Sequence, residues 1–580
     1  MKMKNYITIS SILLLFLVTG FTSEYGNQTS GTFPTESVSK TGNNISKLIN
    51  GRKSRAFFTE LSFLSKSNKH NLDRLDEFVS KAEIFDINFT QLRNTYNNSP
   101  KDIILRINAE GIADFELELT QVNIAPADLK LQIINSNSKN EVPFKQGLAY
   151  WGIIKGDNNS IASITIFEDC IMGLISNDNG NFVLGAKKDA SGRITDDYIF
   201  YNDKDLVIKD NFKCDVDDYA PIHQKGLSLK KSIIHNNSSM PRATSDSIRV
   251  YFTADYQMYL DNGSNVQQTS NFIFGAFSNT ALIYANESIP VRLSQTISVY
   301  TSLDPYSVLN NSYAILNLFG ANTQDNFTGD LAHLLSTGHN QQLGGIAWIN
   351  ILCQPYFYYP PPDDAHYGRY AFSNIEPNFL PYPLYSWTVT VITHEMGHNI
   401  ASKHTHACVW PTSSGVVDSC YASEGNCISV TAPNPNGTIM SYCHLINGGA
   451  INLSRGFGPL PGDTIRLGYE YAECIDSALN SSELPLTFDL MQNYPNPFNP
   501  GTYIKYALPQ EGYVTIRIYD LRGREVTTLI KNKFYEAGIF SSYFNAGDFN
   551  LASGVYFYRL DVIKGDNTSY SQIKKMVLIK

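Results

Sequence analysis

The residues with the most specific chemical pattern lie between His394 and His406. His394 and His398 are four residues apart, so on a helix both imidazoles lie on one face and can reach one metal ion. His404 supplies a third imidazole if the chain turns back after Ala401. Catalytic zinc sites use three protein ligands and an open fourth position. The spacing therefore predicts a zinc centre held by His394, His398 and His404.

Glu395 stands next to the first of these histidines and is not required as a ligand. On the same helix its carboxylate is placed to take a proton from a water molecule on the metal. The pattern thus predicts metal-assisted hydrolysis with Glu395 as general base.

These side chains need a helix, although the preceding residues do not favour one. Residues 387–393 (WTVTVIT) are rich in β-branched side chains, which are typical of strands. Apolar residues nevertheless recur at helical spacing, at Val389, Ile392, Met396 and Ile400. We give this helical period more weight than the strand propensity of the individual residues. The prediction is a helix with its buried face opposite the metal-binding face.

The surrounding residues, 245–480, alternate between strand and helix patterns. Strands are predicted at 248–252, 291–300 and 344–352, and helices at 266–286 and 306–319. This alternation predicts an α/β layer. The aromatic, proline-rich stretch 356–383 is predicted to be a loop.

The flanking regions are different in character. Residues 24–240 carry short alternating runs between turn signals, which predict a β-rich region, and the polar stretch 235–242 is typical of an exposed linker with a processing site near Arg242. Residues 485–580 contain only short strand patterns, which predict a small β-sandwich.

Composition and the N-terminus bear on location. The formal net charge of −9 gives no basic signal for nucleic acid, and 43% hydrophobic residues permit real cores. Lys2 and Lys4 precede the apolar run 12–18, which is short for a bilayer and typical of a signal peptide over 1–23. An uncleaved N-terminal anchor is the alternative. No later stretch has the length and apolar character of a transmembrane segment, so the mature chain is predicted to be exported without one.

Eight cysteines fit an exported protein. Six of them lie between Cys353 and Cys474 and predict three disulfides, with 15 connectivities open. We favour Cys353–Cys474 as the long-range link. A zinc knuckle is disfavoured because no C-x-x-C pair occurs.

Residues 394–404 (HEMGHNIASKH) resemble the metzincin zinc signature H-E-x-x-H-x-x-G-x-x-H. Residues 437–443 (GTIMSYC) look like the Met-turn of that clan, which places Met440 beneath the zinc. Ala401 stands where the family has glycine. In a left-handed turn alanine would cost roughly 1 kcal/mol and would shift His404 slightly.

The flanks make the resemblance more specific. Residues 329–333, 344–353, 404–408 and 439–443 together look like bacterial adamalysin/reprolysin-like metallopeptidases over roughly 245–480. A pappalysin-like metallopeptidase with the same signature is the near alternative, which the flanks of His404 and Tyr442 disfavour. By resemblance, the 344–352 strand would form the cleft edge on which an extended peptide pairs.

Metzincin precursors are often latent, and the N-terminal region loosely resembles a reprolysin-type propeptide. Cys214 precedes the linker, and its thiolate would be a suitable fourth zinc ligand that displaces the catalytic water. A Cys170–Cys214 disulfide is the alternative. His406 is a candidate for a residue that contacts the zinc ligands.

The C-terminal region has a resemblance of its own. Residues 492–500, 504–509, 514–523, 553–556 and 574–580 together look like a type IX secretion C-terminal sorting domain. This implies passage across a Gram-negative outer membrane and then release or attachment to the surface. An ordinary Ig-like adhesion module is the alternative.

The predicted protein is therefore multidomain. It comprises a signal peptide (1–23), a β-rich propeptide (24–242), an α/β metzincin-type catalytic domain with a zinc-binding helix (243–482) and an all-β Ig-like sorting domain (483–580). The predicted function is a secreted zinc endopeptidase made as a zymogen, which acts on protein or peptide substrates and engages the secretion machinery. One catalytic Zn²⁺ is implied. Calcium binding is left open because no calcium-binding loop is recognisable in the sequence. The alternative from another class is a non-catalytic surface adhesin, which an intact Glu395 disfavours.

Overall fold

The computed structural model describes residues 43–579 except 54–55, 137, 208–212, 215–246, 340–342, 362, 376–380, 413, 428–435, 473, 476–487, 494–495, 536–537 and 565–567. The predicted signal peptide and the predicted processing site near Arg242 lie outside the described residues. All elements below belong to one unit, Gly42–Lys580. Among the described helices, none combines the length and apolar character needed to cross a bilayer.

The N-terminal region is rich in strands, as predicted. Its described helices are α1 (Asn44–Lys53), α2 (Leu75–Phe78) and α3 (Phe89–Asn98). Its described strands are β1 (Thr59–Leu61), β2 (Leu64–Lys66), β3 (Ala82–Ile87), β4 (Asp102–Ala109), β5 (Ala113–Val122), β6 (Lys130–Asn135), β7 (Ser138–Pro143), β8 (Leu148–Ile154), β9 (Ile161–Ile166), β10 (Ile171–Asn177), β11 (Gly180–Lys188) and β12 (Ile194–Asn202).

Ten of these strands form one sheet in the order β1-β4-β5-β8-β9-β10-β11-β12-β3-β2. Every residue of β9 and β10 is buried, because both faces of the sheet are covered there. Ile164, Ile166 and Ile175 pack into a core on one face, whereas Ile161 and Leu174 join a larger core shared with the later part of the chain. The ten-stranded sheet therefore buries apolar side chains on both of its faces.

The next region alternates strands and helices, as predicted. Its described elements, in chain order, are β13 (Ile248–Ala254), α4 (Tyr256–Leu260), α5 (Val266–Asn286), β14 (Val291–Tyr300), α6 (Ser312–Thr323), β15 (Leu331–Ser336), β16 (Gly345–Ala347), β17 (Phe357–Tyr359), β18 (Ala365–Tyr367), β19 (Tyr370–Asn374), α7 (Tyr385–Ile400), β20 (Asn436–Gly437), β21 (Ala450–Ile451) and α8 (Pro459–Glu470).

A seven-stranded sheet in the order β16-β19-β15-β13-β14-β6-β7 forms the frame of this region. The five inner strands run parallel, and the two outermost strands, β16 and β7, pair antiparallel. Two of the strands, β6 and β7, come from the N-terminal region. Their residue pattern did not predict that they would join this sheet.

Three sequence expectations need correction here. The stretch 356–383 is not only a loop, because it contains β17, β18 and β19. Tyr370 and Phe372 are buried in β19, and Pro360 and Pro361 lie in the connection between β17 and β18. The predicted 344–352 strand pairs only over Gly345–Ala347, and the helix expected at 306–319 spans Ser312–Thr323.

The helix predicted to carry the first two histidines is confirmed. Helix α7 spans Tyr385–Ile400, and all its residues are buried. It packs on α5, where Tyr284 donates a hydrogen bond to Thr393 O at 3.0 Å. Helical periodicity therefore outweighed the strand propensity of residues 387–393, since a fully buried helix is stabilised mainly by its packing.

The C-terminal region consists of two sheets around one core. Their orders are β22-β23-β26 and β25-β24-β27-β28. The strands are β22 (Asp489–Leu490), β23 (Gly501–Leu508), β24 (Gly512–Tyr519), β25 (Glu525–Tyr535), β26 (Gly538–Asn545), β27 (Gly554–Lys564) and β28 (Ser569–Leu578). This agrees with the predicted all-β character.

The structure shows which of the eight cysteines are joined by disulfides. Disulfides join Cys353–Cys474, Cys408–Cys427 and Cys420–Cys443, so the favoured long-range link is confirmed. Cys170 and Cys214 both keep their thiols, so the alternative Cys170–Cys214 disulfide is wrong.

Candidate metal centre

The end of helix α7 brings the third histidine back toward the first two. Ala401 N and Ser402 N both donate to Gly397 O, at 3.1 and 2.9 Å, and close the last turn. Ala401 has a φ of 176°, which is extended backbone that any residue adopts. The expected cost of a left-handed alanine is therefore wrong, because the chain leaves the helix without that conformation.

The three histidines lie together in the interior. The Nε2 atoms of His394, His398 and His404 are 3.1 Å apart in each pair, and all three side chains are buried. Each Nδ1 faces a hydrogen-bond acceptor at 2.7–2.8 Å. These acceptors are Ile439 O for His394, Ser402 O for His398 and a Glu424 carboxylate oxygen for His404.

This arrangement fits a cation. Because each Nδ1 carries the proton that it donates, each Nε2 presents its lone pair to the other two. Three converging lone pairs cannot hydrogen-bond one another and repel unless a positive ion lies between them. Burial lowers the pKa of His394 and His398 well below the usual range, which keeps both imidazoles neutral and able to ligate. Three neutral imidazoles suit zinc.

Glu395 lies beside this cluster and is fully buried. Its Oε2 accepts a hydrogen bond from Cys214 Sγ at 3.4 Å. Its Oε1 rests against strand β16, where a Cβ on Gly345 would come within 2.3 Å of it. The carboxylate is thus held between the histidine cluster and the end strand of the seven-stranded sheet.

Cys214 reaches the same centre from the N-terminal region. Its Sγ and ligand atoms of the three histidines lie within 4.8 Å of one another. Tyr442 fixes the backbone there, because its hydroxyl accepts from Cys214 N at 2.7 Å and lies 3.0 Å from Cys214 O. The same hydroxyl is 3.3 Å from His404 Nε2. The structure therefore provides a sulfur donor as a fourth potential ligand.

Met440 is buried against α7. A Cβ built on Gly397 would lie 2.9 Å from Met440 Sδ, so helix and methionine approach closely only because this residue is glycine. Met440 O accepts from both Thr405 N and Thr405 Oγ1, at 3.0 and 3.2 Å. The segment around Met440 thus supports the turn that carries His404.

A second layer of polar contacts surrounds His404. Glu424 Oε1 lies 2.7 Å from His404 Nδ1 and 2.5 Å from His406 Nε2. The His406 ring stacks on the His404 ring with centroids 5.0 Å apart and planes 7° apart. One carboxylate therefore contacts two imidazoles, and His406 lies in contact with the cluster.

Glu424 and Gly345 were missed by the sequence analysis. Glu424 lies between Cys420 and Cys427 in sequence, at no recognisable spacing from the histidines. The disulfides of these two cysteines help to place it beside His404. Tyr442 was part of the Met-turn resemblance, but nothing in that motif indicated a contact with Cys214.

Comparisons with protein families identify two regions. Residues 244–448 match metallo-peptidase family M12, and residues 492–579 match the secretion system C-terminal sorting domain. The chain therefore carries a metallopeptidase domain of family M12, and its tail is a sorting domain of the type IX system. Both predicted resemblances are confirmed. The sorting domain indicates a secreted or cell-surface protein of Bacteroidetes-type bacteria.

Solved structures give weaker similarities. Wild-type OgpA from Akkermansia muciniphila is 12% identical over 58% of this chain and 95% of that chain, with a TM-score of 0.21. Dimeric latent PorU from Porphyromonas gingivalis is 19% identical over 16% of this chain, with a TM-score of 0.14. This match spans 9% of the PorU chain. At these TM-scores neither similarity supports a conclusion about activity.

Proposed function

We propose that the protein is the zymogen of a zinc-dependent endopeptidase, with His394, His398 and His404 as the zinc ligands. The observation that supports this most strongly is the convergence of three buried Nε2 atoms, each 3.1 Å from the others, beside the buried carboxylate of Glu395. Family M12 implies zinc, and the donor set fits that ion.

Glu395 is the proposed general base. Zinc, when bound, supplies Lewis acidity that activates water and polarises the scissile carbonyl. Glu395 takes a proton from the attacking water and passes it to the leaving amine as the peptide bond breaks. Its burial excludes competing solvent, and its contact with Gly345 fixes the carboxylate. Met440 shapes the site and carries no proton.

Cys214 is the proposed latency thiol. Its Sγ lies 3.4 Å from Glu395 Oε2, beside the group that must meet the attacking water. Sulfur and water cannot occupy the same position, so Cys214 keeps Glu395 from its reaction partner. Residues 24–242 then act as a propeptide, and cleavage near Arg242 would free the Cys214 segment to leave.

A substrate would bind along β16 in this proposal. This strand ends the seven-stranded sheet, and no described strand pairs with its outer side. An extended peptide can add there as a further strand, next to Glu395. This supports a protein or peptide substrate.

The test combines activity with metal content. After cleavage within 215–246, the wild-type protein should hydrolyse casein, and a chelator should abolish this. Glu395→Ala should lose hydrolysis but keep one zinc per chain, measured by native mass spectrometry. Glu511→Ala, on an exposed residue of the C-terminal region, is the matched control and should retain activity.

Substantial hydrolysis by Glu395→Ala would exclude the general-base role. If Glu395→Ala lost its zinc, Glu395 would instead be a ligand. A cleaved wild-type protein that binds zinc but hydrolyses no peptide would favour the non-catalytic adhesin.

A further inference from the structure

The N-terminal region completes the sheet of the metallopeptidase domain. Strand β6 pairs parallel with β14 over five residues, from Lys130 opposite Thr296 to Ile134 opposite Tyr300. Two further backbone hydrogen bonds extend the contact, Leu293 N to Ile124 O and Thr301 N to Ile134 O, both at 2.8 Å. Strand β7 then covers the outer side of β6. Without these two strands, β14 would be an open edge.

Helix α5 lies between the two large sheets. Every residue from Thr269 to Tyr284 is buried, which is typical of a helix covered on all sides. On one side Phe277 packs on Phe252 of β13, with ring centroids 5.5 Å apart. On the other side Ser278 contacts the ten-stranded sheet.

The contact of α5 with the ten-stranded sheet is close and polar at its centre. Trp151 Nε1 donates to Ser278 O at 3.1 Å, and the hydroxyls of Ser163 and Ser278 are 3.0 Å apart. A Cβ on Gly275 would lie 2.4 Å from Met172 Sδ, so the two elements approach to a distance that only glycine permits. The N-terminal sheet therefore forms one wall of the hydrophobic core that contains α5.

Buried hydrogen bonds tie the same sheet to the segment after Met440. Asn181 donates to Ile451 O at 2.8 Å and accepts from Leu453 N at 3.0 Å. Asn452 donates to Asn177 O at 2.8 Å. These groups are buried, so separating the two regions would leave unsatisfied polar atoms or expose them to water.

None of these contacts uses His394, His398, His404 or Glu395. Among the described residues, Cys214 brings the N-terminal region into contact with the metal centre. In sequence it follows the strands of that region and precedes the predicted linker. The segment that carries Cys214 therefore blocks the centre, whereas the ten-stranded sheet and strands β6 and β7 complete the fold.

We propose that residues 43–207 remain bound after the linker is cut and serve as a non-covalent subunit of the active enzyme. Activation then requires only that the segment carrying Cys214 leave the centre. This rests on the proposed function insofar as linker cleavage is the activating event. The surface on the metallopeptidase domain is the β14 edge together with the outer face of α5, and its partner is the N-terminal region of the same chain.

The test uses the full chain with residues 235–241 of the predicted linker replaced by the recognition site of a site-specific protease. The Glu395→Ala background prevents self-digestion. After complete cleavage, checked under denaturing conditions, both fragments should coelute in gel filtration in a 1:1 ratio at the volume of the uncut protein. They should remain together on dilution to about 100 nM, as expected for a dissociation constant of about 1 nM. Release of the N-terminal fragment would overturn the proposal.

A second measurement separates this proposal from the proposed function. The same cleavable chain with Glu395 intact is cut and fractionated, and casein hydrolysis is measured in each fraction. Activity in the fraction that contains both fragments supports the retained subunit, whereas activity confined to a fraction without the N-terminal fragment overturns it. If the fragments coelute and no fraction hydrolyses casein, the retained association of the two regions is supported and the proposed function fails.

Discussion

The contact between Gly345 and Glu395 leads to a sharp prediction. A Cβ at position 345 would lie 2.3 Å from Glu395 Oε1, 2.6 Å from its Cδ and 2.7 Å from its Cγ. Carbon–oxygen contacts are normally about 3.3 Å or longer. In Gly345→Ala the carboxylate must therefore move by about 1 Å, because the backbone of β16 is held by β19.

A displacement of about 1 Å costs a catalytic group about 100-fold in rate. This corresponds to about 2.7 kcal/mol of activation free energy. The fold should lose only about 1 kcal/mol, since the end of one flexible side chain yields. None of the three histidines is among the nearest atoms to the new methyl group, so zinc binding should be unchanged.

The assay compares kcat/KM on a fluorogenic peptide with zinc per chain for the cleaved wild type and Gly345→Ala. The matched control is Gly51→Ala in α1, where a Cβ would meet nothing within 4 Å, and its activity should equal that of the wild type. Near-wild-type kcat/KM for Gly345→Ala would refute the reasoning. So would loss of zinc, because it would show that the methyl group disturbs more than the carboxylate.

Three other changes test separate parts of the account. Glu424→Gln weakens the hydrogen bond to His404 Nδ1 and should lower zinc affinity about 10–100-fold in a chelator competition; unchanged affinity would exclude an orienting role for the carboxylate. Cys214→Ala should let the uncut chain hydrolyse casein, whereas Cys170→Ala should leave it latent; continued latency of Cys214→Ala would show that another group blocks the site. Burial lowers the pKa of His333 from 6.5 to about 3, so the unfolded chain binds a proton in that window and the folded chain does not. As the pH falls below 6.5, the wild type should lose stability relative to His333→Gln by about 1.4 kcal/mol per pH unit in urea titrations, and a difference independent of pH would contradict this.

The clustering of the three histidines was largely predictable because it depends on residues that are close in sequence. His394 and His398 share a helix turn, and the periodicity of the buried face predicted α7 against residue propensity. His404 follows His398 by only six residues. The proximity of these three residues therefore needed no knowledge of the tertiary fold.

Contacts made across the fold were not predictable in this way. Glu424 reaches His404 through a segment shaped by disulfides, and Cys214 reaches Glu395 across a sequence separation of 181 residues. Strand β6 has the same alternating pattern whichever sheet it joins, so pattern alone could not assign it to β14. The prolines in 356–383 suggested a loop, although the aromatic residues of β19 are buried in the sheet.

X-ray absorption spectroscopy at the zinc edge tests the central claim most directly. The uncut protein, with one zinc per chain, should show three imidazole nitrogens at about 2.0–2.1 Å and one sulfur at about 2.3 Å. After activation the sulfur should be replaced by a light oxygen ligand, while the three nitrogens remain. A chain that binds no zinc, or zinc coordinated by fewer than three nitrogens, would contradict the account.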